Sequence, residues 1–561
     1  MANGAIFLRV PAHFGGGKIV GTGTGAIGGG VFKDLNIDGT LSVANGNIAS
    51  VSGTITNDGT FKLVSTNSLT RLMLAGDTTL DGTGETVLGG IYNYIGSNST
   101  GKTLTIGADQ TLRGGGYIGS SSYGSVNVVN QGTVAADNGT LHAYGTTFDN
   151  TDGSVEVANG AIFSLDAGTL SGGKIVGTGT GAIGGGVFKD LNIDGTLSVA
   201  NGNIASVSGT ITNDGTFKLV STNSLTRLML AGDTTLDGTG ETVLGGIYNY
   251  IGSNSTGKTL TIGADQTLRG GGYIGSSSYG MVKVVNEGTI IAENNQTLYI
   301  NSNGENVTNH GVIKIDTGSS LNSSTQAIVQ SSATAITDVN GTLTTPQFIL
   351  EAGILQGTGT INGNLLSLGG TISAGHSPGK LSVSGNMVLS DDSLIVIELA
   401  GNQKGISYDW LNVLGNVLLD GSLRLDFGDD IATGTTFNFL SSGPGLLSGV
   451  FDNIFSDDYL FDVTYGTSGV SVTVTGHHSL MMTSSMFMTS PSTPLMPASM
   501  SFEPTFYYFI PSSDFAVLPV SLDSTAIPEP NTTWLVIGGM GLLLAASSSR
   551  KLANGARLLC S

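Results

Sequence analysis

The sequence predicts an all-β fold: a right-handed parallel β-helix (β-solenoid) of ~20-residue rungs, then a flexible linker and one short C-terminal hydrophobic helix. Three observations predict it. Residues 16–124 recur without a single change as residues 172–280, an offset of 156, and self-similarity of that kind marks a repeat architecture. Inside the unit a shorter period appears, with Asp38-Gly39-Thr40, Asp58-Gly59-Thr60 and Asp81-Gly82-Thr83 following one another at nearly even intervals. Composition agrees: 88 of 561 residues are Gly, 39% are hydrophobic and only 11% are charged, where ordinary domains carry about 25% charge and about 7% Gly. Disorder needs low hydrophobicity and high charge, which this chain lacks.

The turns come first in the argument, because Asp-Gly and Asn-Gly supply the positive-φ positions that tight turns require. Strand-like alternation lies between them, as in Ser154-Val155-Glu156-Val157, Thr103-Leu104-Thr105-Ile106 and Ser422-Leu423-Arg424-Leu425-Asp426-Phe427. No segment before residue 526 carries a sustained 3.6-residue apolar period. Coils stacked ~4.8 Å apart would make about 20 rungs and a rod of roughly 95 Å from some 400 residues. The alternative, an array of β-sandwiches, calls for a bulkier core than 20 Phe and 2 Trp supply.

The chain then divides by composition. Residues 1–342 form a solenoid holding the duplicated unit, residues 343–402 and 403–476 form further β rungs, and residues 477–526, rich in Met, Ser, Thr and Pro, read as a linker. Residues 527–551 hold an apolar segment, and residues 552–561 a basic and polar tail. At the other end, Met1 to Phe7 has neither a charged leader nor an apolar run. Ala2 to Phe7 equals Ala158 to Phe163, so the chain starts inside a repeat. Leu8 to Phe14 reads largely as a shifted-frame version of Ser164 to Leu170, and the expectation is that the true start and its signal peptide lie upstream.

A net charge of −20 argues against nucleic acid partners, whose phosphates would be repelled. The single cysteine, Cys560, rules out a disulfide framework. No cofactor is expected. His477-His478 is a pair without an evident third metal ligand.

Near the end, Ile527-Pro528-Glu529-Pro530 precedes the apolar run Trp534 to Ala546, which Arg550 and Lys551 close. This tail resembles the PEP-CTERM sorting signal of exported proteins in bacteria that make exopolysaccharide. The resemblance implies an exosortase-type processing enzyme as partner and Pro528, Glu529, Pro530, Arg550 and Lys551 as the signal. The basic residues put the C-terminus on the cytoplasmic side. The thirteen-residue apolar core is ~20 Å long against a ~30 Å hydrocarbon layer, which suits a transient inner-membrane anchor; an ordinary tail anchor is the alternative.

A second resemblance lies in Leu355 to Asn364, Gly370 to Gly379 and Leu381 to Gly385, which look like the passenger-associated repeat of autotransporters. It implies a β-helical surface passenger. The family's 12-stranded barrel would need over ~120 residues, and 85 follow Gly476, so another export route is expected.

Three further motifs match only in letters. Gly96 to Thr103 and Gly252 to Thr259 satisfy the Walker A pattern, and Gly23 to Gly28 with Gly179 to Gly184 satisfy the dinucleotide fingerprint, but both chemistries need a helix next, whereas strand-like residues follow. Gly375-His376-Ser377-Pro378-Gly379 matches a nucleophile elbow and likewise runs into a strand pattern.

The expected function is therefore that of a non-enzymatic, exported cell-surface or matrix protein with a structural or adhesin-like role. Its Ser, Thr, Asn and Asp side chains would bind exopolysaccharide or surface glycans weakly and many times over. The alternative is a β-helix polysaccharide lyase or glycoside hydrolase, which needs clustered carboxylates or basic residues.

Overall fold

Glycine turns and alternating strands do build a parallel β-solenoid. The computed structural model describes residues 6–8, 13–99, 101–302, 304–376, 378–456 and 459–477. The chain divides into two units, Met1–Met481 and Met482–Ser561, and the second lies outside the described residues, as do the anticipated apolar helix and almost all of the anticipated linker. Among the described residues there is strand and turn but no helix, hence no helix long and apolar enough to cross a membrane.

Every coil places strands one above another in parallel register. One column runs Leu41, Phe61, Thr86, Leu112, Val134, Val155, Ile175, Ile193, each residue paired with the next. Another runs Gly53, Thr78, Leu104, Val128, Phe148, Leu170, Phe188, Val207. Three such faces make a coil. The three strands read from sequence alternation are all present, and the short strands carry it through: Thr259–Ile262, Thr289–Ala292 and Thr371–Ala374 each alternate half-buried and buried residues. The inward set, including Leu112, Val155, Leu260, Ile290 and Leu355, is fully buried and joins one continuous core, worth about 1.5–3 kcal/mol for each large side chain.

Coils are less uniform than the anticipated ~20 residues. Leu355 faces Ile372 after a short coil, while Leu423 faces Ile454 after a stretch of chain nearly twice as long. The difference is absorbed at corners, where residues such as 401–407 form an outer turn between the strands Leu394–Leu399 and Trp410–Val413, while Tyr408 returns to the core. Strand Thr342–Leu350 crosses one of the compositional boundaries and pairs with strands on both sides of it. After residue 456 the pairing changes: Gly469–His477 runs antiparallel to Tyr459–Tyr465 and to Thr436–Ser441.

Corners explain the glycines in two ways. Gly39 and Gly82 take positive φ, 81° and 91°. Gly59 does not; a Cβ there would stand 2.0 Å from the carbonyl oxygen of Gly39 in the coil below, and one at Gly84 2.1 Å from that of Gly59. The Asp-Gly-Thr period thus marks both turn shape and the closeness of stacked backbones.

Other corners hold buried amides. Asn286 Nδ2 donates to Asn309 Oδ1 (2.8 Å), and Asn309 Nδ2 to Gln330 Oε1 (3.1 Å). Gln330 Nε2 in turn donates to the carbonyls of Ala352 and Ile354 at 3.0 and 3.1 Å. Asn130 and Asn150 repeat the arrangement at 2.7 Å. Asn130, Asn150, Asn286 and Gln330 also donate to backbone carbonyls that a buried turn would otherwise orphan.

Candidate functional site

Outward residues of successive coils form rows. Thr111, Thr133, Ser154 and Lys174 stand in one, giving a lateral surface of hydroxyls broken by charge. On it Arg113 bridges coils, its Nε 2.6 Å from Glu85 and its Nη1 3.1 Å from Asp137. Arg269 does the same with Glu241 and Glu293, at 2.6 and 2.7 Å. The arginine hydrogen bonds hold the Glu85 and Glu241 carboxyls below their usual range.

Aromatic side chains form two ladders. Tyr94 stacks on Tyr117 with centroids 4.5 Å apart, and Tyr117 on His142 at 4.4 Å; His142 in turn pairs with Asp166 at 2.9 Å. In the second copy Tyr250 stacks on Tyr273 at 4.7 Å and Tyr273 on Tyr299 at 4.5 Å. Tyr123 and Tyr279 stand edge-on to Tyr94 and Tyr250, each capped by an arginine, Arg71 at 4.8 Å or Arg227 at 4.9 Å from its ring centroid. Beside the second ladder lies an open hollow of about 550 Å³ lined by tyrosines, hydroxyls and amides. Neither ladder shows in the sequence, since the partners are separated by whole coils.

Toward the C-terminal coils, Asp409 is 1% exposed and accepts backbone N–H groups from Gly379 at 2.7 Å and Glu398 at 2.9 Å. Burial pushes its carboxyl up to about 6. His376 Nε2 lies 2.9 Å from Asp338. Trp410 sits between Lys380 and Lys404, each 4.4 Å from its ring centroid.

The three literal motifs fall on strand and turn. Strand Glu85–Ser97 leads through a turn to strand Lys102–Ile106, and Glu241–Ser253 to Thr259–Ile262; among the described residues no helix N-terminus is there to cradle phosphate. Gly23 to Gly28 lies within strand Lys18–Gly28 and is followed by strand Val31–Val43, while Gly179 to Gly184 runs from a turn into strand Ala182–Val199. Gly375 to Gly379 joins strands Thr371–Ala374 and Lys380–Val383, with Ser377 outside the described residues. Among the described residues no group of three metal-ligating side chains occurs; the His477 ring packs against Tyr459, centroids 4.3 Å apart. Pro528, Glu529, Pro530, Arg550 and Lys551 lie outside the described residues.

No family model matches the chain, and no curated protein matches it in sequence. Among solved structures, the crystal structure of the Haemophilus influenzae Hap adhesin aligns with 82% of this chain at 11% identity and a TM-score of 0.30. The chain covers 64% of that protein's length, under two thirds. The fold assignment rests on the strand registers themselves.

Proposed function

We propose that this chain is an exported, non-enzymatic β-solenoid of the cell surface or extracellular matrix, with a structural or adhesin-like role. One observation carries the reading. The described residues form a continuous core whose outward residues repeat coil after coil as hydroxyls, amides and paired charges, which makes lateral surface the product of the fold. Such a surface suits weak, repeated contacts with exopolysaccharide or surface glycans, and the charge of −20 disfavours nucleic acid. The PEP-CTERM-like tail supports export through the inner membrane with transient anchoring, followed by an exosortase-type enzyme.

Cell fractionation with mass spectrometry of the mature C-terminus tests this reading. The expected result is protein in the envelope or medium without the residues after Pro530. Surface protein with its tail intact would refute the sorting signal, and protein confined to the cytosol would refute export.

The lyase or hydrolase reading draws on the His376–Asp338 pair. The nearby carboxyl that titrates near 6, Asp409, is sealed from solvent and bound to two backbone amides, so its geometry serves the turn.

A further inference from the structure

The hollow beside Tyr250 and Tyr273 brings aromatic rings, hydroxyls and amides together in one place. We infer that it is a subsite for a neutral pyranose unit of an oligosaccharide, an inference that rests on the surface-protein reading and names its ligand class. Its volume of about 550 Å³ falls within the range of small-molecule sites, ~300–1,000 Å³. One side is aromatic: Tyr250 and Tyr273 lie within 3° of parallel, and Tyr279 meets Tyr250 at 70° with centroids 4.9 Å apart. Tyr273 is covered on both faces, by Tyr250 and by Tyr299, so this wall offers ring edges and phenol hydroxyls, against which the C–H groups of a pyranose pack while its hydroxyls meet the polar rim. The rim answers those hydroxyls with Ser277, Ser278 and Thr325 and with the amides of Asn301 and Gln326.

Charge decides the kind of sugar. Among the described residues, no Asp, Glu, Lys, Arg or His lines the hollow, and Arg227 is engaged over the ring of Tyr279, so the lining offers a uronate carboxylate no cation, whereas the hydroxyls of a neutral sugar meet hydroxyls and amides. Burial raises the Tyr250 and Tyr273 hydroxyls above their usual range, keeping them protonated donors.

The site is also built in advance. Tyr279 N–H donates to Ser276 Oγ at 2.9 Å, Ser276 N–H to the Gly280 carbonyl at 3.0 Å, and Ser253 N–H to the Tyr279 carbonyl at 2.9 Å. Gly280 has φ 81°, and a Cβ there would stand 2.2 Å from the Ser253 carbonyl oxygen, so the turn that carries Tyr279 has one shape. Asn301 Nδ2 is fixed by the Gly275 carbonyl at 3.0 Å. A preorganised rim lowers the entropy cost of binding.

The duplication supplies an internal control. Tyr94, Tyr117 and Tyr123 reproduce the tyrosines in the first copy, but the flank differs. Ser125 replaces Met281. Gly119 rests against the Tyr144 carbonyl where Gly275 rests against that of Asn301, so a tyrosine stands in place of the amide. The stack there continues onto His142, paired with Asp166. The same tyrosines therefore make the subsite only in the second copy.

The test is titration calorimetry of the full chain with neutral tetrasaccharides of glucose, mannose and galactose, and with a uronic acid tetrasaccharide, each at millimolar concentration. Binding of at least one neutral probe is expected, weakened tenfold or more by Tyr279→Ala and by Thr325→Arg, and unchanged by Tyr123→Ala. Thr325 is exposed at the rim, so the arginine blocks the hollow while the thermal transition stays in place, which separates lost binding from lost folding. No binding of any neutral probe, tighter binding of the uronate, or indifference to Thr325→Arg would overturn the inference. A surface-located protein that binds no neutral sugar would sink this site and leave the surface reading standing; a cytosolic protein that binds through Tyr279 would do the reverse.

Discussion

Ile193, not Leu197, stands seven coils above Leu41. Leu197 is the residue identical to Leu41 in the second copy, yet the registered column from Leu41 ends at Ile193. The two then climb separate ladders, Ile193 to Asn213 and Leu197 to Phe217, with Gly195 at φ 71° turning the corner between them. The offset is confined to this part of the coil: the column Ala49, Leu72, Ile95, Ile118, Ala143, Leu165, Gly185, Ala205 returns after seven steps to the residue identical to its start. Along that column identical residues of the two copies lie about 34 Å apart along the coil axis.

Stacked corners tolerate no Cβ where backbones touch. Gly59→Ala is expected to destabilise its coil by about 2–4 kcal/mol, because the new methyl meets the Gly39 carbonyl. Gly15→Ala, with open space around it, is expected to change little. Since each coil contacts only its neighbours, hydrogen exchange should accelerate around residues 36–88 in Gly59→Ala and not beyond residue 350. Uniform acceleration through the whole solenoid would count against local stacking.

The amide ladder predicts a larger penalty than loss of an exposed Asn would carry. Asn309→Leu removes one of the two acceptors of the Asn286 amide, leaving the Val312 carbonyl, and one of the two donors to Gln330 Oε1, leaving the Thr337 hydroxyl. A loss of about 1–3 kcal/mol for the buried groups is expected, measured by denaturant unfolding. An unchanged midpoint would mean that the ladder carries no stability.

Much of this architecture was legible in the chain. Gly-rich turns gave the coil period, and alternation in Ser154–Val157 gave the strands. The offset of Leu197 from the Leu41 column was not legible, because coil lengths vary along that column. The step from Thr86 to Leu112 is its longest and that from Ile175 to Ile193 its shortest, and only pairing reveals where a turn closes. Nothing in the sequence marks Asn309 and Gln330 as interior residues, yet both are buried, because only stacked coils bring the amides together. The tyrosine hollow was hidden for a different reason: Asn301 and Thr325 come from outside the repeat and join Tyr273 only when coils stack.

Asp409 predicts a pH dependence of opposite sign to that of the paired carboxylates. Its carboxyl is raised to about 6 from 3.8, so the folded state binds a proton that the unfolded state releases. Its contribution to stability therefore grows as pH falls from above 6 toward 4, by up to about 3 kcal/mol. Glu85 and Glu241, held below their usual range by arginine, contribute stability above their unfolded pKa that is lost in acid. Asp409→Asn places an N–H donor against the Gly379 or Glu398 amide; it should destabilise at every pH and abolish the Asp409 component. The difference in unfolding free energy between the two proteins, followed from neutral pH into mild acid, should widen as pH falls. A flat difference would contradict the assignment.

Incubating the full chain with neutral and acidic exopolysaccharides, while following both retention of the polymer and the appearance of new chain ends, tests the central claim most directly. The account predicts retention of polymer with its length unchanged, and weaker retention by Thr325→Arg. Shortening of any polymer in proportion to protein and time would contradict it and make the solenoid an enzyme.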